Sequence, residues 1–198
     1  MGLRLEYVEG QTPISEEEKE GLRIKSIVTQ NELNQFEQLN IEKAMIWLMR
    51  TKIKPEQILS EEFIKTVHKR MFGDVWTWAG TFRNTEKNIG VSWITIPEEL
   101  RKLLLDVQFW LDHKTYPADE ISIRFKHRLV SIHCFSNGNG RHSRVMADIL
   151  IQHIFQKEIF SWSNSNLYES NKVRAEYINA IKLADQGNML RLLGFARG

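Results

Sequence analysis

The chain has 198 residues, 42% of them hydrophobic and 26% charged, with 27 Lys+Arg against 25 Asp+Glu for a formal net charge of +2. That size and mixture fit one soluble globular domain with no need of covalent staples, and the near balance of charge argues against nucleic-acid binding driven by bulk electrostatics. A single cysteine, Cys134, excludes an internal disulfide and a cysteine zinc site. No apolar run reaches membrane-spanning length, and Met1-Gly2-Leu3-Arg4-Leu5-Glu6 lacks a secretory core, so a cytoplasmic protein without a membrane role is expected.

Residues 1–28 look least like core. The run Glu16-Glu17-Glu18-Lys19-Glu20 reads as a solvated helix face, so 1–28 is taken as an N-terminal arm and 29–198 as the main domain. Thr29 opens the first long helix, with Glu32 completing a capping box. Its apolar positions Leu33, Phe36, Leu39, Ile41, Ala44, Ile46, Trp47 and Leu48 broaden toward the end, which predicts a well-buried helix. Pro55 punctuates, and Ser60 caps a helix that places Phe63, Ile64, Val67 and Met71 on one face. Residues 80–97 break the helical pattern. Thr81-Phe82-Arg83 and Val91-Ser92-Trp93-Ile94-Thr95-Ile96 are β-prone around Asn88-Ile89-Gly90 and read as an irregular hairpin, with a surface loop as the equal alternative. Pro97 opens the next helix, carrying Leu100, Leu103, Leu104, Val107 and Leu111, and Pro117 begins the one leading to His133. Beyond Arg144 a helix carries Val145, Ile149 and Ile154, and two last helices are predicted over about 166–184 and 186–195. The fold class is mostly α, and the six tryptophans read as core anchors rather than base-stacking platforms.

Between two helix-compatible runs lies His133-Cys134-Phe135-Ser136-Asn137-Gly138-Asn139-Gly140-Arg141-His142-Ser143-Arg144. Asn-Gly is also a tight-hairpin signal, but a hairpin needs alternating strands on both sides, and both flanks here read as helix. Two glycines one residue apart let the backbone turn tightly with its N–H groups uncovered. A helix starting near Arg141 aims its first N–H groups and positive dipole end at the same hollow, an anion site. Arg141 and Arg144, at i and i+3, add charge on one face, and His133 stands where a base could work beside a bound phosphate. No Gly-Lys-Ser/Thr follows, so this is not a Walker A loop. His127, His133 and His142 are close in sequence, but no HExxH spacing supports a zinc site.

These twelve residues resemble the signature of the Fic (Fic/Doc, Fido) family, His-x-Phe-x-Asp/Glu-Gly-Asn-Gly-Arg-x-x-Arg, departing from it only at Asn137, where the family usually has a carboxylate. Trp78-Ala79-Gly80 followed by Arg83 is similar to a second family element. Gln11-Thr12-Pro13, Glu20-Gly21-Leu22 and Glu37-Gln38-Leu39-Asn40-Ile41 resemble the subgroup called mobile mystery protein B. The resemblance implies a helical bundle with a small β-hairpin flap beside the active site. It implies transfer of AMP from ATP, with Mg²⁺, onto a hydroxyl of a target protein docked by main-chain pairing along residues 84–96. The alternative is a catalytically weak nucleotide-binding module, half of a regulatory pair on mobile elements, with a cognate regulator protein.

Carried onto this sequence, the resemblance makes His133 the general base. Gly138, Asn139 and Gly140 hold phosphate oxygens through backbone N–H groups, with a further donor on the Asn139 side chain. Arg141 and Arg144 neutralise the outer phosphates. Asn137 falls at the metal position, where an amide oxygen coordinates Mg²⁺ without supplying charge. Phe135 is expected to anchor the loop, and Ser136 and His142 receive no role. Many Fic proteins also resemble one another in an inhibitory helix, Ser/Thr-x-x-x-Glu-Gly/Asn, whose glutamate pairs with the second signature arginine. The nearest stretch here runs from Ser15 to Gly21, with Ser15 five residues before Glu20. Glu20 on Arg144 is therefore the expected inhibitory contact.

Overall fold

In the computed structural model, residues 3, 5, 12–162 and 171–198 are described. Gln11, part of the subgroup resemblance, and the expected helix start near Asn166 lie outside them.

Local signals set the helix starts. Ser15 caps α1 (Glu16–Glu20), and Ser15 and Glu18 satisfy each other's backbone N–H groups in a capping box. Thr29 and Glu32 do the same for α2 (Gln30–Arg50). Lys54 precedes a single proline-led turn, α3 (Pro55–Ile58), and the Ser60 hydroxyl accepts from Phe63 N at the start of α4 (Glu61–Phe72). A 3₁₀ turn, Trp93–Thr95, runs into α5 (Ile96–His113), and Pro117 precedes α6 (Ala118–Ile132). Then come α7 (Asn139–His153), α8 (Asn171–Asp185) and α9 (Leu190–Arg197). No described helix is long and apolar enough to cross a membrane.

The antiparallel pair α6 and α7 is the spine. α4 and α5 pack on it, and α2 lies on α4. The main core joins Ile64, Val67 and Met71 of α4, Leu100, Leu103 and Val107 of α5, Phe125 and Leu129 of α6, and Phe135 of the signature loop. A smaller cluster joins α8 and α9 to the outer faces of α6 and α7 through Ile123, Ala147, Ile151, Ala184 and Leu192. Residues 12–28 pack onto the main core through Ile14, Leu22 and Ile27. Leu22 makes an isolated antiparallel bridge with Trp76, backed by Arg23 N→Val75 O at 2.8 Å and Thr77 N→Gly21 O at 2.9 Å.

Three expectations are corrected. First, residues 80–97 form no hairpin; they run as bends ending in the 3₁₀ turn. The cause is Arg83, whose buried guanidinium donates to Thr85 O (2.8 Å), Val91 O and His133 O (2.7 Å). Those carbonyls point inward onto one side chain, so the two arms cannot face each other in a ladder. Second, α2 is not well buried: Leu39, Ile46 and Met49 are exposed, because α4 covers only one side. That covered face carries polar Glu37 and Asn40 beside Leu33, Ala44 and Leu48. Asn40 earns its place by donating to Arg70 O (2.9 Å) and accepting from Asp74 N (2.8 Å). Third, the tryptophans divide: Trp76 is wholly buried, while Trp93 is exposed on the segment that failed to form a hairpin.

Candidate active site

The signature loop joins α6 to α7 through two residues in left-handed backbone. His133 ends α6 at φ 58°, ψ 59°, and Gly138 caps α7 at φ 79°. Only glycine fits at 138: a Cβ there would lie 2.6 Å from the Phe72 ring. At His133 the conformation is held from outside. Arg83 Nε donates to its carbonyl, and Arg83 N donates to Cys134 O at 2.9 Å. Gly90 packs so close that a Cβ would come 2.6 Å from His133 Cβ. Arg83 is a positioning residue that composition did not flag as one; the visible signal was an arginine after Trp-Ala-Gly in a β-prone stretch.

The loop is stiffened from within. Asn139 accepts from Phe135 N (2.9 Å) and donates to Phe135 O (2.7 Å). Its side chain is thus engaged in closing the loop, not free to donate to phosphate as expected. His68 stacks on Phe135 with ring centroids 3.7 Å apart. Its Nδ1 accepts from Gly80 N at 3.0 Å, so its Nε2–H donates to Asn137 O at 3.0 Å. His142 is buried and donates to Ile64 O at 3.0 Å, which makes it a strut between α7 and α4. His127 instead pairs with Asp185 at 2.7 Å, so the three neighbouring histidines point to three different partners.

The structure brings His133, Asn137, Gly138, Asn139, Gly140, Arg141 and Arg144 to one cavity of about 330 Å³, a size that suits a small-molecule ligand. By position, the N–H groups of Asn139 and Gly140 have no intrahelical carbonyl, since the first bond of α7 is His142 N→Gly138 O at 2.9 Å. The opposite wall comes from α8 through Arg174, Tyr177, Ile178, Ile181 and Lys182. The arm closes another side with Thr12 and Ile14. His133 Nε2 lies 2.9 Å from the Thr12 hydroxyl. Burial, with Arg83 and Lys87 nearby, pushes its pKa down to about 4, and only the Val130 backbone draws it back up. The imidazole is therefore neutral at pH 7.

Two site residues differ from expectation. Glu20 is exposed and its side chain does not dock on Arg144. Among the described residues, a carboxylate that pairs with a signature arginine is that of Glu37 on α2, with Oε2 2.6 Å from Arg141 Nη1, while its Oε1 accepts from Trp76 Nε1 at 2.6 Å. The readable signal was a glutamate in step with Leu33, Asn40 and Ala44 on the face of α2 that had to be buried. Asn137 Oδ1 turns back onto Gly138 N at 2.5 Å. Among the described residues no group of three His, Cys, Asp or Glu could hold a metal ion. One neutral amide already engaged in the loop is not a Mg²⁺ site by itself.

Three of the four buried imidazoles carry most of a pH signature; the fourth, His127, is also lowered by burial but is drawn back up by Asp185. Burial holds His68 well below the ordinary 6.5 and pushes His133 and His142 to about 4. Between those limits the unfolded chain binds protons that the folded one refuses, so stability falls as pH drops from 6.5 toward 4. Each histidine contributes up to about 1.4 kcal/mol per pH unit. Asp148, pushed up to about 6 by burial, acts in the opposite sense between 3.8 and 6 and offsets one of the three. A melting temperature that stayed level from pH 7 to 4.5 would contradict this.

Residues 58–151 match the family model described as the Fic/DOC family. The protein adenylyltransferase Fic of Nematostella vectensis is 26% identical over 174 residues, covering 85% of this chain and 38% of its own length. That of Aedes aegypti is 24% identical over 175 residues, covering 86% and 32%. The chain thus spans about a third of the length of these two relatives. A probable protein adenylyltransferase of Sinorhizobium fredii is 27% identical over 137 residues, 65% of this chain and 68% of that one. Among solved structures, Bartonella tribocorum BepC with bound AMPPNP superposes with TM-score 0.68 at 17% identity, covering 92% of this chain and 97% of that one. Fic-1 of C. elegans superposes with TM-score 0.64 at 21% identity, covering 80% and 46%. Residues 58–151, which hold the signature loop, are thus similar to the Fic/DOC family, and the helical fold is shared with these solved structures.

Proposed function

We propose that the chain is a protein adenylyltransferase that moves AMP from ATP to a hydroxyl side chain of a protein. One observation carries this reading: a neutral imidazole, an uncovered helix N-terminus and two arginines face the same cavity. The N–H groups of Asn139 and Gly140 hold α-phosphate oxygens as charge moves during attack. Arg141 and Arg144 bind the outer phosphates and stabilise the leaving pyrophosphate. His133 Nε2 takes the acceptor's proton. Neutral at pH 7, the imidazole is in the protonation state that can accept it. The Ile178 and Ile181 side of the cavity offers an apolar wall for the base. The target segment docks along residues 84–96. In support, Lys87 Nζ from that segment already donates to a main-chain carbonyl, Pro13 O, at 3.1 Å.

Label position tests the reaction class. Incubated with cell lysate, the chain should transfer label from ATP marked in the α-phosphate and none from ATP marked in the γ-phosphate. Transfer of the γ-label would replace this reading with phosphoryl transfer. Binding of ATP with no transfer of either label would favour the regulatory-module alternative.

Mg²⁺ enters on the nucleotide's phosphates as part of the substrate. The Asn137→Asp variant adds the hard, charged ligand that the loop lacks. It should need a several-fold lower Mg²⁺ concentration for half-maximal transfer. An unchanged metal titration would show that residue 137 does not face the nucleotide.

A further inference from the structure

We propose that Thr12 of the N-terminal arm is an acceptor for the AMP group, modified within its own chain. The inference rests on the adenylyltransferase reading and adds a named site to it. Three observations point to Thr12. Its hydroxyl is hydrogen-bonded to the base, with Thr12 Oγ1 2.9 Å from His133 Nε2. It faces the cavity that also holds Gly138, Asn139, Gly140 and both signature arginines. Finally, the segment around it is fixed at that spot rather than draped there.

The fixing is specific. Ile14, two residues on, is buried in the main core. Lys87 Nζ donates to Pro13 O at 3.1 Å and pairs with Glu18 at 2.5 Å, both side chains nearly buried. Glu18 in turn caps α1 against Ser15, and its carbonyl accepts from Trp78 Nε1 at 3.1 Å. The main-chain carbonyl of residue 13 is thus held by a side chain of the 84–96 segment, and residue 12 is set on the base. A purely structural contact at this point would need no hydroxyl on an imidazole lining an anion cavity. A reacting oxygen held in place by its own fold gains the large effective concentration of an intramolecular reaction.

The step balances as follows. Thr12 Oγ attacks the α-phosphorus of ATP, forming an Oγ–P bond. The bond from that phosphorus to the oxygen bridging to the β-phosphate breaks, and pyrophosphate leaves with the electron pair. The Thr12 proton passes to His133 Nε2 and then to solvent. The products are an AMP ester of Thr12 and pyrophosphate, with ATP the sole co-reactant.

The test uses the full chain with ATP and Mg²⁺, followed by intact mass measurement and peptide mapping, in wild-type and Glu37→Gln backgrounds. A single AMP should appear on Thr12, at a rate independent of protein concentration. Thr12→Ser should keep the modification and Thr12→Val should lose it. A His133→Ala chain mixed with wild type should remain bare at Thr12. AMP on other residues or on lysate proteins, with Thr12 bare, overturns the assignment while leaving the adenylyltransferase reading intact. Labelling of Thr12 on the His133→Ala partner at the wild-type rate overturns modification within the chain. AMP on no protein in either background overturns both readings.

Discussion

Replacing His133 by Ala is expected to lower AMP transfer about 10²–10⁴-fold, the usual contribution of a positioned general base. The fold and ATP affinity should change little. The left-handed backbone at 133 is imposed by the Arg83 contacts to the 133 and 134 carbonyls, and alanine keeps both. Neither the helix N-terminus of α7 nor the arginines depend on the imidazole. The variant does leave the Thr12 hydroxyl without its partner, a modest penalty of about 1 kcal/mol because water can enter the cavity. Transfer rate, calorimetric ATP affinity and circular dichroism together check this. Wild-type transfer by the variant would remove His133 from the mechanism.

The second large effect is expected at Glu37. Its carboxylate holds Arg141 in a close, largely buried pair, and on the proposed reading that pair competes with the outer phosphates of ATP. A charge-assisted contact of this kind is about twice as strong as a neutral hydrogen bond. Glu37→Gln removes the competing charge and keeps an amide oxygen for Trp76 Nε1, so the core contact survives. ATP affinity should rise about tenfold or more, near 1.4 kcal/mol on the binding scale, and self-modification should rise with it. Equal ATP affinity in wild type and in both Glu37→Gln and Glu37→Ala would show that the pair only braces α2. Glu20→Gly, by contrast, should leave ATP affinity unchanged, since Glu20 is exposed.

What could be read from the sequence was what neighbouring residues decide among themselves. Thr29 with Glu32, Ser60, Pro97 and Pro117 mark helix starts because capping and proline chemistry act within one turn. The loop from His133 to Arg144 was legible because its glycines, histidine and arginines all act within twelve residues. What remained hidden depends on partners far along the chain. Arg83 meets His133 across fifty residues and takes the carbonyls that a hairpin would have used. Glu37 meets Arg141 across more than a hundred, and α8 supplies a cavity wall with no local motif. The surface placement of α2 followed from how much of it α4 could cover, a quantity periodicity alone does not contain.

Phe72 lies against the position where a Gly138 side chain would begin, and the Arg141 guanidinium stands over the same ring, 4.7 Å from its centroid. One aromatic plate thus gauges both the height of the phosphate turn and the reach of its first arginine. The two are mechanically geared: a smaller residue at 72 would let the turn settle and, in the same movement, take away the surface on which the arginine rests. The end of α4 is therefore tied to a loop sixty-six residues away, and a change of size at 72 is felt at both 138 and 141.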